Sequence, residues 1–333
     1  MVFLLLALAF AAMLTLNLCI GSIEIAPGEI LRIVLKGSGE GSKAANVIWK
    51  IRLPRLLAAA LLGGALSVSG FLLQNFFRNP IAGPYILGVS NGAKMLVGIF
   101  MIFVLRTASG VPGWALIAAS FLGSLLVTGF VLLVAGKVRS MAALLVVGIM
   151  IGSICTAVTN FLITFADEAG IANLHSWSMG SFSAVSWRDL GYSAAVILLC
   201  TAGALFLSKP MGAYQLGEGY ARSMGVGIRG FRIALITLSS LLSAVVTALS
   251  GPISFVGVAV PHMARLLFGT AKPAVIIPGS FLLGSVFCMG CDLIARTAFA
   301  PTEMAISTVT AVFGAPVVIA LMLKRQRKGG EGK

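Results

Sequence analysis

Residues 56–77 read LLAAALLGGALSVSGFLLQNFF, an unbroken run without one charged side chain. At about 1.5 Å per residue such a helix is roughly 33 Å long, enough to cross a hydrocarbon layer of about 30 Å. Outward from it, comparable apolar runs fall at 1–20, 93–105, 114–136, 141–165, 190–208, 233–250, 251–268, 274–291 and 305–323. In lipid every backbone amide must be satisfied within its own segment or in a closed barrel, and these runs lack the alternation of barrel strands. The expected fold is therefore an all-α integral membrane protein of about ten transmembrane helices. Residues 1–325 form a single transmembrane domain, and 326–333 form a polar tail.

Composition agrees. Of 333 residues, 59% are hydrophobic and only 10% charged, with mean hydropathy +1.04, which leaves too few charges to cover a soluble surface. The net charge of +14 does not point to nucleic acid, because the basic residues are thinly spread between apolar runs and do not interleave with aromatics. The cysteines, at 19, 155, 200, 288 and 291, build no disulfide framework, and the Cys288–Cys291 pair lacks a second pair or a nearby histidine for zinc. No metal site is expected. Residues 1–20 lack a basic start and a small-x-small cleavage site, so they read as the first span rather than a signal peptide.

Several spans carry breakers, notably Gly251-Pro252, Pro261, Pro278 and Gly314-Ala315-Pro316, which a membrane tolerates where neighbouring helices or a wet cavity rescue the freed carbonyls. Gly148 and Gly152, or Gly63, Gly64 and Gly70, have close-packing spacing, and helix contact accounts for them. With alternating spans, Lys137 and Arg139, then Arg222, Arg229 and Arg232, then Arg265 and Lys272, then Lys324, Arg325, Arg327 and Lys328 share one side. The excess of basic residues makes that side the cytoplasm and places both termini there. The loop from about 21 to 55 then lies outside, yet it holds Arg32, Lys36, Lys43, Lys50, Arg52 and Arg55. Either a loop of that length tolerates charge, or it docks an acidic partner.

Catalysis finds no support. The ten acids are dispersed and the two histidines, His175 and His262, lie in separate segments, so no acid–base pair or catalytic residue emerges. No charged residue is expected near the middle of a span, which argues against proton coupling. Gly225-Val226-Gly227-Ile228-Arg229-Gly230 satisfies GxGxxG but follows a polar stretch rather than a strand. Residues 37–43, GSGEGSK, miss the phosphate-loop spacing. The chain is expected to bind no cofactor and no ATP of its own. More informative is Leu216 to Gly225, which reads as a short helix with an acid in its first turn and a glycine stop, set between two spans. Lying along the membrane, it would be a handle for a soluble partner.

Ile51-Arg52-Leu53-Pro54-Arg55, Gly64-Ala65-Leu66, Ser69-Gly70, Gln74, Arg78-Asn79-Pro80-Ile81-Ala82-Gly83-Pro84 and Leu87-Gly88 resemble the opening signature of the membrane permeases of iron-siderophore and cobalamin importers, the type II ABC class. The likeness continues in Trp177-Ser178-Met179-Gly180-Ser181-Phe182, Leu216-Gly217-Glu218 with Ala221 and Gly225, Gly251 to Gly257, Pro261-His262 with Arg265, and Gly314-Ala315-Pro316. It departs in Ile81, where leucine is commoner, and in having no basic residue before the first span.

The resemblance implies a ten-span permease of a prokaryotic cell membrane that pairs with a second copy or close relative. Two cytoplasmic ATPase subunits, which use ATP and Mg, and an extracytoplasmic binding protein complete the importer. Leu216, Gly217, Glu218, Ala221, Arg222 and Gly225 would couple to the ATPase, and Arg52, Arg55 and Arg296 would meet carboxylates of the binding protein. Small polar residues Ser153, Thr156 and Asn160 suit the wall of a path, and the inner gate is expected at Ser140 and Met141. The cargo would be a metal chelate: a ferric siderophore first, then haem or cobalamin. An ion-coupled secondary carrier, its ion held at helices broken near Pro261 and Pro316, is the alternative, and a membrane-embedded enzyme a more distant one.

Overall fold

The computed structural model describes all residues except 22, 24, 37–41, 86, 105–112, 136, 139–140 and 331–333, and the side chains of 35–36, 104, 113, 141, 321–322 and 324–330 are likewise outside it. The glycine-rich segment at 37–41 and the expected gate residue Ser140 therefore fall outside the described residues, and of Met141 only the backbone is described.

Among the described residues every element is helical: α1 (Val2–Cys19), α2 (Pro27–Lys36), α3 (Lys43–Val47), α4 (Leu53–Phe77), α5 (Val89–Ile99), α6 (Gly113–Ala135), α7 (Met141–Ile163), α8 (Glu168–Met179), α9 (Trp187–Phe206), α10 (Ser208–Leu216), α11 (Glu218–Ser223), α12 (Ile228–Ser250), α13 (Val256–Phe268), α14 (Pro273–Thr297) and α15 (Ile306–Gly330). A wider turn, Ile48–Arg52, joins α3 to α4 so that Lys43–Phe77 is one helical rod, and a similar turn, Phe100–Val104, extends α5. Seven helices are long and apolar enough to cross a membrane, and Val89–Phe103, Val256–Phe268 and Ile306–Ala320 are shorter apolar ones. These ten coincide with the ten sequence runs.

Helix α4 is the axis. Ala58, Ala59, Leu62, Ala65, Val68, Phe71 and Leu72 have no exposed surface, and α14, α12, α13 and α9 surround it. Its small residues are where neighbouring backbones touch: a Cβ on Gly70 would stand 1.7 Å from the Gly257 carbonyl oxygen of α13. Cys288 packs against Gly63 of α4, and Cys288 and Cys291 are both free thiols, so the CxxC spacing serves packing. The outer helices show the reverse pattern, with Leu122, Leu126, Phe130 and Leu133 on α6 and Leu198, Leu199 and Phe206 on α9 exposed, as a lipid-facing surface requires.

Two stretches depart from the expected spans. The run at 251–268 is helical only from Val256, about 20 Å of helix, because Gly251 and Phe255 hold positive φ angles of 72° and 63° and Pro252 has no amide to donate. Pro261, Pro278 and Pro316, by contrast, sit inside continuous helices. Second, the chain leaves α4 through Arg78 in a left-handed conformation and is not helical from Asn79 to Tyr85 or at Leu87. It re-enters a helix only at Gly88 (φ 74°), whose absent Cβ lets it rest on Gly148 and Gly152 near the centre of α7. Helix α5 therefore starts halfway into the bundle, and Lys94 lies well inside it, where no charge was expected near the middle of a span. The α15 helix continues through the basic stretch to Gly330.

The contact at Gly70 gives a direct test. Gly70→Ala should cost about 3 kcal/mol or prevent assembly, whereas Gly129→Ala on α6, with open space around it, should be neutral or slightly stabilising. Thermal unfolding in detergent, followed by thiol labelling of the buried cysteines, measures both.

Candidate functional site

Three groups of polar residues interrupt the apolar bundle, one at each end and one between. The first lies where α4 begins and α14 ends. Arg55 donates to Asp292 through Nε and Nη2 at 3.0 Å each, and through Nη1 to Glu303 at 2.8 Å. Arg296, one turn beyond Asp292, donates to the Asn17 carbonyl at 2.7 Å and its side-chain oxygen at 3.0 Å, with its Nε 3.9 Å from Asp292. Arg52 donates to the carbonyls of Leu18 and Ile23. The arginines expected to dock a partner are thus brought together, but their guanidiniums turn inward and bind α1, α14 and the following loop. Arg52 and Arg55 retain only 5% and 9% exposure. Burial demands this, because an arginine at the head of a fully enclosed helix needs acceptors on every side. Among the carboxylates of the group, Glu303 is about half exposed and reaches solvent, whereas Asp292 is buried. Trp49 and Trp187 meet at the same end, with the Trp187 indole donating to the Trp49 carbonyl at 2.6 Å, as interfacial aromatics do.

The second group lines two adjoining cavities of about 270 and 500 Å³. Ser153, Thr156 and Asn160 recur at helical spacing on one exposed face of α7, so the structure places all three on one wall. Tyr85 and Asn91 face them, and Asn91 donates to the Gly152 carbonyl at 3.2 Å. Hydroxyls of Ser153 and Thr156 donate back into their own helix at 3.1 and 2.9 Å, which lets polar side chains persist in lipid. Pro252 and Ser254 of the broken segment, Ser307 and Lys94 also line the smaller cavity, with Ser90, Thr159 and Ser178.

The third group is the handle at the opposite end. Gly217, at φ 140°, bends α10 into α11, and Gly225, at φ 82°, ends the motif; a side chain at either would be strained. Glu218 bridges Arg232 at 2.7 Å and Arg222 at 3.2 Å, while Ala221 is wholly buried. Arg78 donates to the Tyr214 carbonyl at 2.6 Å and lies over its ring, and Gln215 donates to Asn75 at 2.6 Å, so the handle is bolted to the end of α4. Leu216, Tyr220 and Met224, four residues apart, are left exposed at 72%, 48% and 63%. Exposed apolar side chains at a polar end of a membrane protein suit contact with a partner. Leu216 was expected there; Tyr220 and Met224 were not, although their four-residue spacing was open to reading.

A family profile described as the FecCD transport family matches residues 6–324. The chain belongs to the FecCD transport family. Among relatives of this FecCD chain, the vitamin B12 import system permease protein BtuC of Klebsiella pneumoniae is 36% identical over 326 residues, covering 97% of this chain and 94% of the relative. Its counterpart in Salmonella typhimurium is 36% identical over 317 residues, covering 94% and 91%. A metal-chelate type ABC transporter solved in an inward-facing conformation is 30% identical with a TM-score of 0.82, covering 96% of this chain and 97% of the other. PsaBC from Streptococcus pneumoniae, solved with a Fab, shares the fold alone at 15% identity, with a TM-score of 0.52 over 80% of this chain. This FecCD chain is a multi-pass membrane permease of a type II ABC importer, a transport subunit rather than an enzyme.

The buried arginine network makes a graded prediction. Asp292→Asn should destabilise the permease by about 3 kcal/mol, since it leaves the Arg55 charge under-compensated in a buried site. Glu303→Gln, at a half-exposed position, should cost under about 1 kcal/mol. Thermal unfolding of the purified variants in detergent compares them.

Proposed function

We propose that two copies of this chain, or this chain and a close relative, enclose a path for a metal chelate across a prokaryotic cell membrane. A binding protein delivers the cargo at the arginine end, and two ATPase subunits using ATP and Mg grip the handle end, where both termini lie. The observation that carries this is the handle itself: a short helix pair, bent at a glycine whose positive φ a side chain would strain, pinned to the central helix and offering Leu216, Tyr220 and Met224 outward. A knob fastened so tightly to α4 moves the bundle when a partner moves it.

The chemistry of the path supports the assignment of direction and load. The hydroxyl and amide wall at Ser153, Thr156 and Asn160 offers weak contacts to a large polar cargo, and weak contacts let it leave. The cargo is a chelate of the class that includes ferric siderophores, haem and cobalamin; the named cargo of the BtuC relatives belongs to it. An ion-coupled carrier has less in its favour, because a cation site at the Gly251–Phe255 break would share its cavity with the ammonium of Lys94, and among the described residues no carboxylate lines that cavity. Met141 opens α7, and Ser140 and Met141 are assigned to the inner gate.

Docking at the other end follows from exchange. Arg55 already holds one half-exposed carboxylate, Glu303, which a carboxylate of the binding protein can replace, with Arg52 and Arg296 fixing the geometry behind it and exposed Lys43 and Lys50 steering the approach. Glu303→Gln should then strengthen association of the loaded binding protein several-fold, and Arg55→Glu should abolish it, both effects shrinking as salt is raised. Titration of the reconstituted permease with its binding protein reads this.

The whole proposal is tested at the handle. Glu218→Arg sets three like charges together, and Leu216→Asp interrupts the apolar stripe. Each should cut ATP-dependent import in proteoliposomes at least tenfold and release the ATPase on purification. Unchanged import by both variants, with no ATPase retained by the parent chain, overturns the importer reading in favour of a secondary carrier.

A further inference from the structure

Lys94 is the one charged side chain among those lining the smaller polar cavity, and it stands in the second turn of a helix that begins near the middle of the bundle. A lysine in a membrane span commonly curls toward the headgroups from the end of its helix. Here roughly 15 Å of helix separates Lys94 from Val104, more than its side chain spans. It is half-buried and faces hydroxyls and amides instead, Ser90, Asn91, Thr156 and Asn160 among them.

Neutral oxygens solvate an ammonium without cancelling its charge. Among the described residues the acids that could cancel it are engaged or remote: Asp292 and Glu303 hold Arg55, and Glu218 holds Arg222 and Arg232. Asp167 caps the start of α8, and Asp189 caps that of α9. Glu29 and Glu168 are exposed outside the cavity. A charge kept within a membrane bundle is costly and faces a path or a partner. Its field therefore points into the cavity uncompensated.

We propose that Lys94 makes this cavity an anion-preferring station, and that the cargo is accordingly a chelate exposing carboxylates or equivalent anionic oxygens at its periphery. Calling the station part of a path rests on the importer reading; the electrostatic preference does not. A single cation contributes attraction without a second contact to lock the ligand in place, so it biases entry while permitting exit.

The test compares thiol reagents of opposite charge and similar size. Asn160→Cys is placed in the full chain, purified and reconstituted, and its rates of reaction with the methanethiosulfonate bearing a sulfonate and the one bearing a trimethylammonium are measured above the background of the native cysteines. The anion-to-cation rate ratio should fall at least about tenfold with Lys94→Gln and further with Lys94→Glu, and it should be retained with Lys94→Arg. A ratio that Lys94→Gln and Lys94→Glu leave unchanged overturns the proposal. Labelling needs neither ATPase nor binding protein. A chain that fails the handle test but shows this shift therefore loses only the importer reading, and the opposite pair of results removes only the anion preference.

Discussion

Helix α4 has no lipid face, and that constraint organises the rest of the molecule. A helix enclosed on all sides in a membrane gains little from hydrophobicity, because its neighbours and the lipid are equally apolar; close contact must hold it. Gly70 meets Gly257, and Gly284 meets Gly63, backbone against backbone. Between them Ser69 and Ser239 exchange hydrogen bonds with each other's carbonyls at 2.8 and 2.9 Å, which ties α4 to α12 where both are buried. The polar ends of α4 are treated likewise. Arg55 is paired at one end, and at the other Arg78 and Asn75 hold the handle. Motion applied to the handle thus arrives at a rod gripped along its length.

Irregular backbone is confined to places the bundle encloses. The return after Arg78 and the break from Gly251 to Phe255 expose carbonyls and amides that lipid cannot satisfy, so they find partners within the protein: the Ile81 amide donates to the Asn79 side-chain oxygen at 3.2 Å and Ser307 donates to the Pro252 carbonyl at 2.7 Å. The same segments border the polar cavity. A wet space inside the protein is the natural consequence of backbone that must be hydrogen-bonded but is not helical.

The ten apolar helices were legible from the apolar runs because length and polarity decide what can cross a membrane, whereas α2 and α3 lie in a stretch read as a loop. The handle was legible from Glu218, Gly217 and Gly225, whose types encode a helix start and a strained turn. Three things were not. The depth of Lys94 depends on where α5 begins, and that is set by Gly88 resting on Gly148 and Gly152, a contact between segments far apart in the chain. The inward turn of Arg52, Arg55 and Arg296 depends on acceptors from α1 and α14, whose register against α4 no local pattern carries. The shortness of α13 depends on a left-handed Phe255, a conformation that its residue type argues against.

The placement of charge follows one energetic rule with different outcomes. At the arginine end of the bundle, carboxylates meet Arg55 with several hydrogen bonds, which offsets the cost of desolvation and makes a rigid corner, while at the handle end Glu218 accepts one from each of two more exposed arginines. In the middle a cation stands among neutral oxygens. Were a carboxylate beside it, the pair would close the cavity to anions and stiffen a wall that has to change shape as cargo passes. Were the lysine absent, the wall would discriminate only by size and hydrogen bonding, terms that a hydrated chelate satisfies as well in water. An unpaired charge is the least stabilising choice for the fold at that position, and under the proposed anion preference it is the one that would let a path choose among chelates of similar bulk.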